Sequence, residues 1–360
     1  MQEADVVLIT ESTSNPVNIS SPLMQYGFFD WQNRFETLDT TKDPLWKLKS
    51  AVNWELFRTE LEAIRDKQRK SNARAKPYAA VLMFKILILQ SLYNLSDEAV
   101  EYQILDRMSF MRFLGLQAGD PVPDAKTIWL FREQLKAAGR MEYLFKQFTE
   151  FLAANGYAAE QGQIVDASIV AVPRQRNSRE ENRQIKDGAT PEEWQDAKKR
   201  HKDVDARWVK KNGKTYYGYK NHVDVDVKHK FIRGYAVTDA AVHDSQVFEE
   251  LLNENNSSRD VYADSAYRSA ESIERLAELG FREHLQRKGC KNRKLTTWEQ
   301  QGNRTRARKR SRIEHVFGVQ AMMAGNLILR CIGMIRVRVK IGLRNLAYNI
   351  NRYALLVTTG

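Results

Sequence analysis

The sequence predicts an α/β protein in two parts, a helical N-terminal domain followed by a domain of mixed strands and helices. Three observations predict it. Apolar residues recur at helical spacing from about Trp46 onward, whereas after Gly156 β-branched runs take over. The charge also divides there: residues 1–155 hold 19 Lys and Arg against 20 Asp and Glu, and residues 156–360 hold 38 against 25.

Taken in order, residues 1–20 are polar and aperiodic and read as a flexible tail. Residues 21–155 read as the helical domain. Trp54, Phe57, Leu61 and Ile64 share one helical face, and Tyr78 to Tyr93 is apolar enough for a buried helix, broken at Asn94-Leu95-Ser96. Ser96 with Asp97 and Glu98 makes a helix start leading into Val100, Ile104 and Leu105. Pro123-Asp124 precedes another helix carrying Ile128, Leu130, Phe131 and Leu135.

Residues 156–330 read as the mixed domain. Gln163 to Val172 is a β-branched run with one acid in it, and strands at about Tyr219–Val227 and Phe231–Thr238 flank a turn at Lys228 to Lys230. A helix follows at about Ser245 to Asn253, with Asp244 as its cap, then a short strand ending at Ala263. Between the first two strands lies a polar insertion, residues 173–218, whose Thr190-Pro191-Glu192-Glu193 has the cap, proline and acid of a helix start. Residues 331–360 read as a helical tail with Leu343, Leu346, Ala347 and Ile350 on one face.

Composition narrows the function. No run of eighteen apolar residues predicts a membrane span and no leader pattern predicts secretion, so a cytoplasmic protein is expected. Cys290 and Cys331 lack the spacing of a disulfide framework or a zinc site, and the six histidines show no paired spacing. The net charge of +12 suits a polyanionic partner, because each phosphate neutralised releases counterions.

Three acids stand out. Asp166 lies inside an apolar strand, where an ionised side chain needs a partner or a metal. Asp264 follows a strand end, a common ligand position in α/β proteins. Glu314 sits on a helix after the cationic stretch Arg287 to Arg312. Each also has a structural reading: a hydrogen-bonded polar residue, a turn cap, and the i+4 partner of Arg310. Three separated carboxylates are what metal-assisted phosphoryl transfer needs, since two ions about 4 Å apart can activate the attacking oxygen and stabilise the leaving one. Hard oxygen ligands imply Mg²⁺, with Mn²⁺ as a substitute. Trp194, Trp208, Tyr216, Tyr217 and Tyr219, amid Lys and Arg, either stack unpaired bases or cover a sheet edge.

The motifs IVDAS around Asp166, YGYKNHVDVD from Tyr217 to Asp226, AVHDS from Ala241, VYADSAYRS around Asp264 and RSRIEHVFG around Glu314 resemble those of bacterial insertion-sequence DDE transposases of the insertion-sequence-5 type. RAKPYAAVLMFKILILQSLYNLSDEAVEYQILDRMSFMRFLGL and VPDAKTIWLFREQL resemble that family's helical domain. The resemblance implies a ribonuclease-H-like catalytic domain, a helical N-terminal domain for DNA binding or dimerisation, and a metal-binding triad of Asp166, Asp264 and Glu314. It implies cleavage at element ends by activated water, then attack of the freed 3′ hydroxyl on target DNA. Terminal inverted repeats and target DNA would be the partners of a homodimer or larger assembly, and the protein would associate with the bacterial nucleoid. Lys220, Arg308, Lys309, Arg310 and Arg312 are the candidate DNA contacts. The superfamily signature sets a Tyr seven residues before the glutamate, an Arg four before and a basic residue seven after; here these are Ala307, Arg310 and Ala321, and only the Arg agrees. Two other readings compete: a metal-dependent nuclease without strand transfer, and a non-catalytic DNA-binding protein derived from a transposase.

Overall fold

The computed structural model describes residues 30–40, 43–65, 76–211, 213–290, 293–324 and 328–359. The expected tail over residues 1–20 lies outside them. Helix α1 (Asp30–Thr40) belongs to a separate N-terminal unit, and residues 44–360 form a second, compact one.

The second unit begins with α2 (Pro44–Ala51), a short 3₁₀ turn over Trp54–Phe57 and α3 (Arg58–Ala63). Next come α4 (Ala80–Tyr93), α5 (Asp97–Asp106), α6 (Met108–Leu114), α7 (Ala125–Ala137) and α8 (Met141–Ala154). Helix α4 is apolar on nearly every side and is wrapped by its neighbours; Met83, Phe84, Ile86 and Ile88 are fully buried. It stops at Asn94, whose φ of 50° places it in the left-handed region that ends helices. Ser96 Oγ accepts from Ala99 N at 3.0 Å and Asp124 Oδ1 from Thr127 N at 2.7 Å, so both expected helix starts form. Leu105 and Leu130 face solvent, although neighbours on their helices are buried.

The sheet is built from β1 (Gln163–Ala171), β2 (Arg207–Lys211), β3 (Lys214–Asp226), β4 (Ile232–Asp239), β5 (Asp260–Ala263) and β6 (Arg282–Leu285). Its main order is β4-β3-β1-β5-β6, antiparallel across β4, β3 and β1, and parallel from β1 through β5 to β6. Three antiparallel strands extended by two parallel ones, with β1 in the middle, is the ribonuclease-H-like arrangement. Helix α11 (Ala270–Glu278) makes the crossover from β5 to β6.

The 173–218 insertion is more ordered than its sequence suggests. It contains α9 (Arg179–Lys186), α10 (Asp196–His201), β2 and the start of β3. The helix expected at Thr190 does not form; Pro191 opens a turn closed by Trp194 N, while the working capping box is Ser178 with Glu181. The helix expected after Asp244 is instead two 3₁₀ turns, Asp244–Val247 and Glu249–Leu251, and His243 rather than Asp244 caps the first. Asp244 cannot cap because its carboxylate is engaged by Lys220.

Helix α12 (Thr297–Ala324) lies over β1 and β5, and α13 (Met334–Thr359) runs through the core shared by the helices and the sheet. The C-terminal segment is therefore packed inside: Leu343, Leu346, Ala347 and Ile350 are all buried. Polar contacts fix its position. Asn349 Nδ2 donates to Ile232 O at 2.8 Å and its Oδ1 accepts from Ile232 N at 2.9 Å. One turn earlier, buried Asn345 exchanges hydrogen bonds with Asn221 of β3 and accepts one from Gln320 of α12. An apolar contact would leave these sheet groups unsatisfied, so the asparagines specify register as well as burial.

Candidate active site

Strand β1 enters the core by alternation. Ile164 joins the helical core, Val165 packs beneath the other face with Phe248 and Val261, and Val170 packs with Leu329, Val337 and Ile341. A period of two sets Asp166 on the same face as Ile164 and Val170, toward α12 and α13. Its side chain is only 14% exposed. One oxygen accepts from Ala167 N at 2.8 Å, and the other receives Arg310 Nη1 at 2.7 Å.

Asp264 follows the last residue of β5, which is parallel to β1. Its Oδ1 accepts from Ala266 N at 2.7 Å, capping a 3₁₀ turn at Ser265–Tyr267. The structural role of a turn cap is thus present and occupies one oxygen. Burial pushes the Asp166 carboxyl up from its ordinary value; the Ala167 N–H and Arg310 oppose this, and the negative charge of Asp264 adds to it. A buried carboxyl whose proton affinity is raised further by a second carboxylate is one that a cation would relieve.

Glu314 lies one turn beyond Arg310 on α12 and is 66% exposed. Arg310 Nη2 is 3.5 Å from Glu314 Oε1, so one guanidinium spans Asp166 and Glu314. The expected i+4 pair therefore exists, and Arg310 is a bridge between two of the predicted acids. Among the described residues, no three His, Cys, Asp or Glu side chains converge closely enough to hold an ion as they stand.

Tyr267 supplies a separate test of fit. Its ring is fully buried, and its hydroxyl has no hydrogen-bond partner among the described residues. Burial first, then the carboxylates of Asp244, Asp166 and Asp264, push its proton affinity up. An unpartnered buried hydroxyl costs about 1–3 kcal/mol, so one aimed among three acids fits a site that takes a hydrated cation. The donor set fits as well: Asp166, Asp264 and Glu314 offer hard carboxylate oxygens.

Behind these acids lies a network that sequence reasoning missed. Lys220 Nζ donates to Asp244 Oδ1 at 2.8 Å and to Val242 O at 2.6 Å. His222 Nδ1 is 3.9 Å from the same Asp244 oxygen, and burial pushes this imidazole down to about 4, so it is neutral near pH 7. Lys220, expected among the DNA contacts, is 9% exposed and its ammonium is held by Asp244 and Val242 O. The clue was available: Tyr267 follows Asp264 by three residues, and Lys220 and His222 alternate on β3 beside Asp166, whose partner is Val223.

The other predicted cations divide. Arg308 is exposed and Lys309 half-buried on α12, whereas Arg312 donates to Val227 O at 2.5 Å and braces the turn after β3. His315 lies near Lys230 and Arg352. Of the aromatic residues in or beside the insertion, Trp194, Tyr217 and Tyr219 are buried, with Tyr219 Oη donating to Asp203 at 2.8 Å, whereas Trp208 and Tyr216 keep accessible faces.

The fold defines a ribonuclease-H-like protein, with Asp166 on β1 and Asp264 after β5 on adjacent parallel strands and Arg310 of α12 joining Asp166 to Glu314. Residues 157–350 match the family described as the Transposase DDE domain, and residues 33–134 match the Transposase domain (DUF772). The chain belongs to the DDE transposase family. Among solved structures, a cryo-EM structure of the piggyBac transposase synaptic complex with hairpin DNA is similar at 11% identity. That match covers 88% of this chain and 76% of the other, with a TM-score of 0.44. No helix among the described residues is long and apolar enough to cross a membrane.

Proposed function

We propose that this chain is a transposase of the insertion-sequence-5 type that cleaves DNA at the ends of its element and joins the freed 3′ ends to target DNA. The observation that carries the reading is the meeting of Asp166, Asp264 and the Arg310–Glu314 helix face in a chain of the DDE transposase family. Asp166, Asp264 and Glu314 are assigned as ligands of Mg²⁺, with Mn²⁺ able to substitute. Bound there, the ions would neutralise the scissile phosphate and favour the oxygen that attacks it.

The chain's own groups have distinct tasks. Ala167 N–H fixes one oxygen of Asp166 while Arg310 holds the other, and Ala266 N–H fixes one oxygen of Asp264. Arg310 balances the acids and has the planar fork that binds a phosphate through two parallel hydrogen bonds. In the first step a water oxygen bonds to phosphorus and the 3′ oxygen leaves, taking a proton. In the second, that 3′ hydroxyl bonds to a target phosphorus and displaces a target 3′ oxygen, so the number of phosphodiester bonds is conserved. Arg308 and Lys309 hold the DNA backbone. Two element ends require at least a dimer, acting where the bacterial DNA lies.

The test uses labelled DNA carrying the gene's own flanks, Mg²⁺, and either the native protein or Asp264→Asn. Cleavage at the repeat boundaries with joining to a second DNA, abolished by the substitution, supports the reading. Activity that survives the substitution sinks the triad. Cleavage without joined products favours a nuclease, and tight binding without cleavage in Mg²⁺ or Mn²⁺ favours a non-catalytic DNA-binding protein.

A further inference from the structure

A second concentration of cations lacking acidic partners lies apart from the acids. Two adjoining hollows of about 350 and 410 Å³ lie between the start of α5, one side of α7 and the first turns of α13. Arg132, Arg330 and Lys340 line both. Arg132 is neutralised by Asp97 at 2.7 Å, and Arg336 by Glu133 at 2.8 Å. Arg200, Arg330, Lys340 and Arg344 have no acid within ion-pair distance among the described residues. Burial, aided by the charge of Arg132, pushes the Lys340 ammonium below its ordinary value, and burial pushes Arg344 down to about 10. Arg344 Nε is buried without a hydrogen-bond partner. Holding like charges together and away from water is costly unless an anion arrives.

The rim also suits a nucleic acid. Trp129 is 45% exposed beside Arg132, and Ile328 and Ile335 are exposed nearby. The hollow is tied to the catalytic strand, because Leu329 N donates to Ala171 O at 2.9 Å and Leu329 packs with Val170. Val170 shares with Asp166 the alternating face of β1. Ala171 lies five residue steps beyond Asp166 along β1, about 17 Å at the usual strand rise.

We infer that this cleft is a second DNA-backbone site, in which Arg330, Lys340 and Arg200 grip phosphates away from the scissile bond. The inference rests on the transposase reading and adds to it a holding surface apart from the acids. Phosphate contacts of this kind set position rather than sequence preference. The cleft would keep a DNA end in register while the acids act.

The experiment measures binding of the full-length protein to a duplex carrying the element end, without divalent metal, across a salt series. Native protein is compared with Arg330→Gln/Lys340→Gln, with Arg200→Glu, and with Lys146→Gln as a control on α8, a helix away from the cleft, where Lys146 is 78% exposed. Each lost phosphate contact should lower the slope of log K against log salt by about 0.9. Over a fourfold rise in salt the double variant should thus lose about 12-fold less affinity than the native chain. Lys146→Gln should match the native slope. Arg200 is exposed, so its reversal repeats the test if the double variant does not fold. Native slopes in the double variant and in Arg200→Glu would overturn the cleft while leaving the transposase reading intact. A native protein that binds no duplex at any salt would overturn both.

Discussion

Asp224 offers the sharpest test of how this sheet is held together. It lies on β3, fully buried, and neither carboxyl oxygen has a hydrogen-bond partner among the described residues. Burial, and then the charge of Asp226, raise its proton affinity well above the ordinary value of 3.8, with Arg233 opposing. The folded chain therefore holds a proton that the unfolded chain releases above about pH 4. Stability falls as pH rises through that window, by about 1.4 kcal/mol per pH unit, until the folded carboxyl itself ionises. His222 acts in the opposite sense. Its folded value of about 4 lies below 6.5, so its contribution is present above 6.5 and is lost as pH falls toward 4. Between pH 4 and 6.5 the two slopes nearly cancel, and above 6.5 the Asp224 slope stands alone. Asp224→Asn removes one slope and leaves the other. In urea unfolding followed by tryptophan fluorescence between pH 5 and pH 7, the variant should gain on the native protein as pH rises, by about 1.4 kcal/mol per pH unit while the folded carboxyl keeps its proton. A constant gap between the two proteins across that range would refute the reasoning, because it would mean that Asp224 is already ionised in the folded sheet.

Three further outcomes follow from the structure. Tyr267→Phe deletes an unpartnered hydroxyl, so the metal-free protein should be unchanged or more stable by about 1 kcal/mol. Its cleavage rate with Mg²⁺ should fall 10–100-fold, the range for groups that orient a metal site; an unaltered rate separates Tyr267 from the chemistry. Gly218 has a φ of 152° and an added Cβ would stand 2.2 Å from Val170 O, so Gly218→Ala must part β3 from β1. Chemical denaturation should register a loss of at least about 3 kcal/mol for that variant. Arg233→Met strips Asp226 of its buried 2.8 Å partner and should cost about 3–5 kcal/mol, read as a lowered unfolding midpoint.

Much of the architecture was legible because its signals are local. The α4 helix, its stop at Asn94 and the caps at Ser96 and Asp124 follow from spacing and side-chain chemistry within a few residues. The β1 strand and the acid within it were visible for the same reason. Local signals also misled. Thr190-Pro191-Glu192 has the grammar of a helix start, yet the chain turns there, and Asp244 looks like a cap until Lys220 claims it. Leu130 fits a helical stripe by spacing, but its side of α7 finds no neighbour to bury it.

The sequence by itself determined the fold class, the place of the catalytic-domain acids in the chain and the surplus of positive charge after residue 155. These depend on periodicity, residue type and counting, and motif resemblance supplied the family before any coordinates. Only the tertiary structure decided which charges face one another. It set Arg310 between Asp166 and Glu314, turned Lys220 inward to Asp244, buried Tyr267 among three carboxylates, and gathered Arg200, Arg330 and Lys340 into one cleft. Ion pairs and desolvation act through space over a few ångströms, between residues that lie far apart along the chain, so their partners emerge only when the sheet and α12 and α13 have packed.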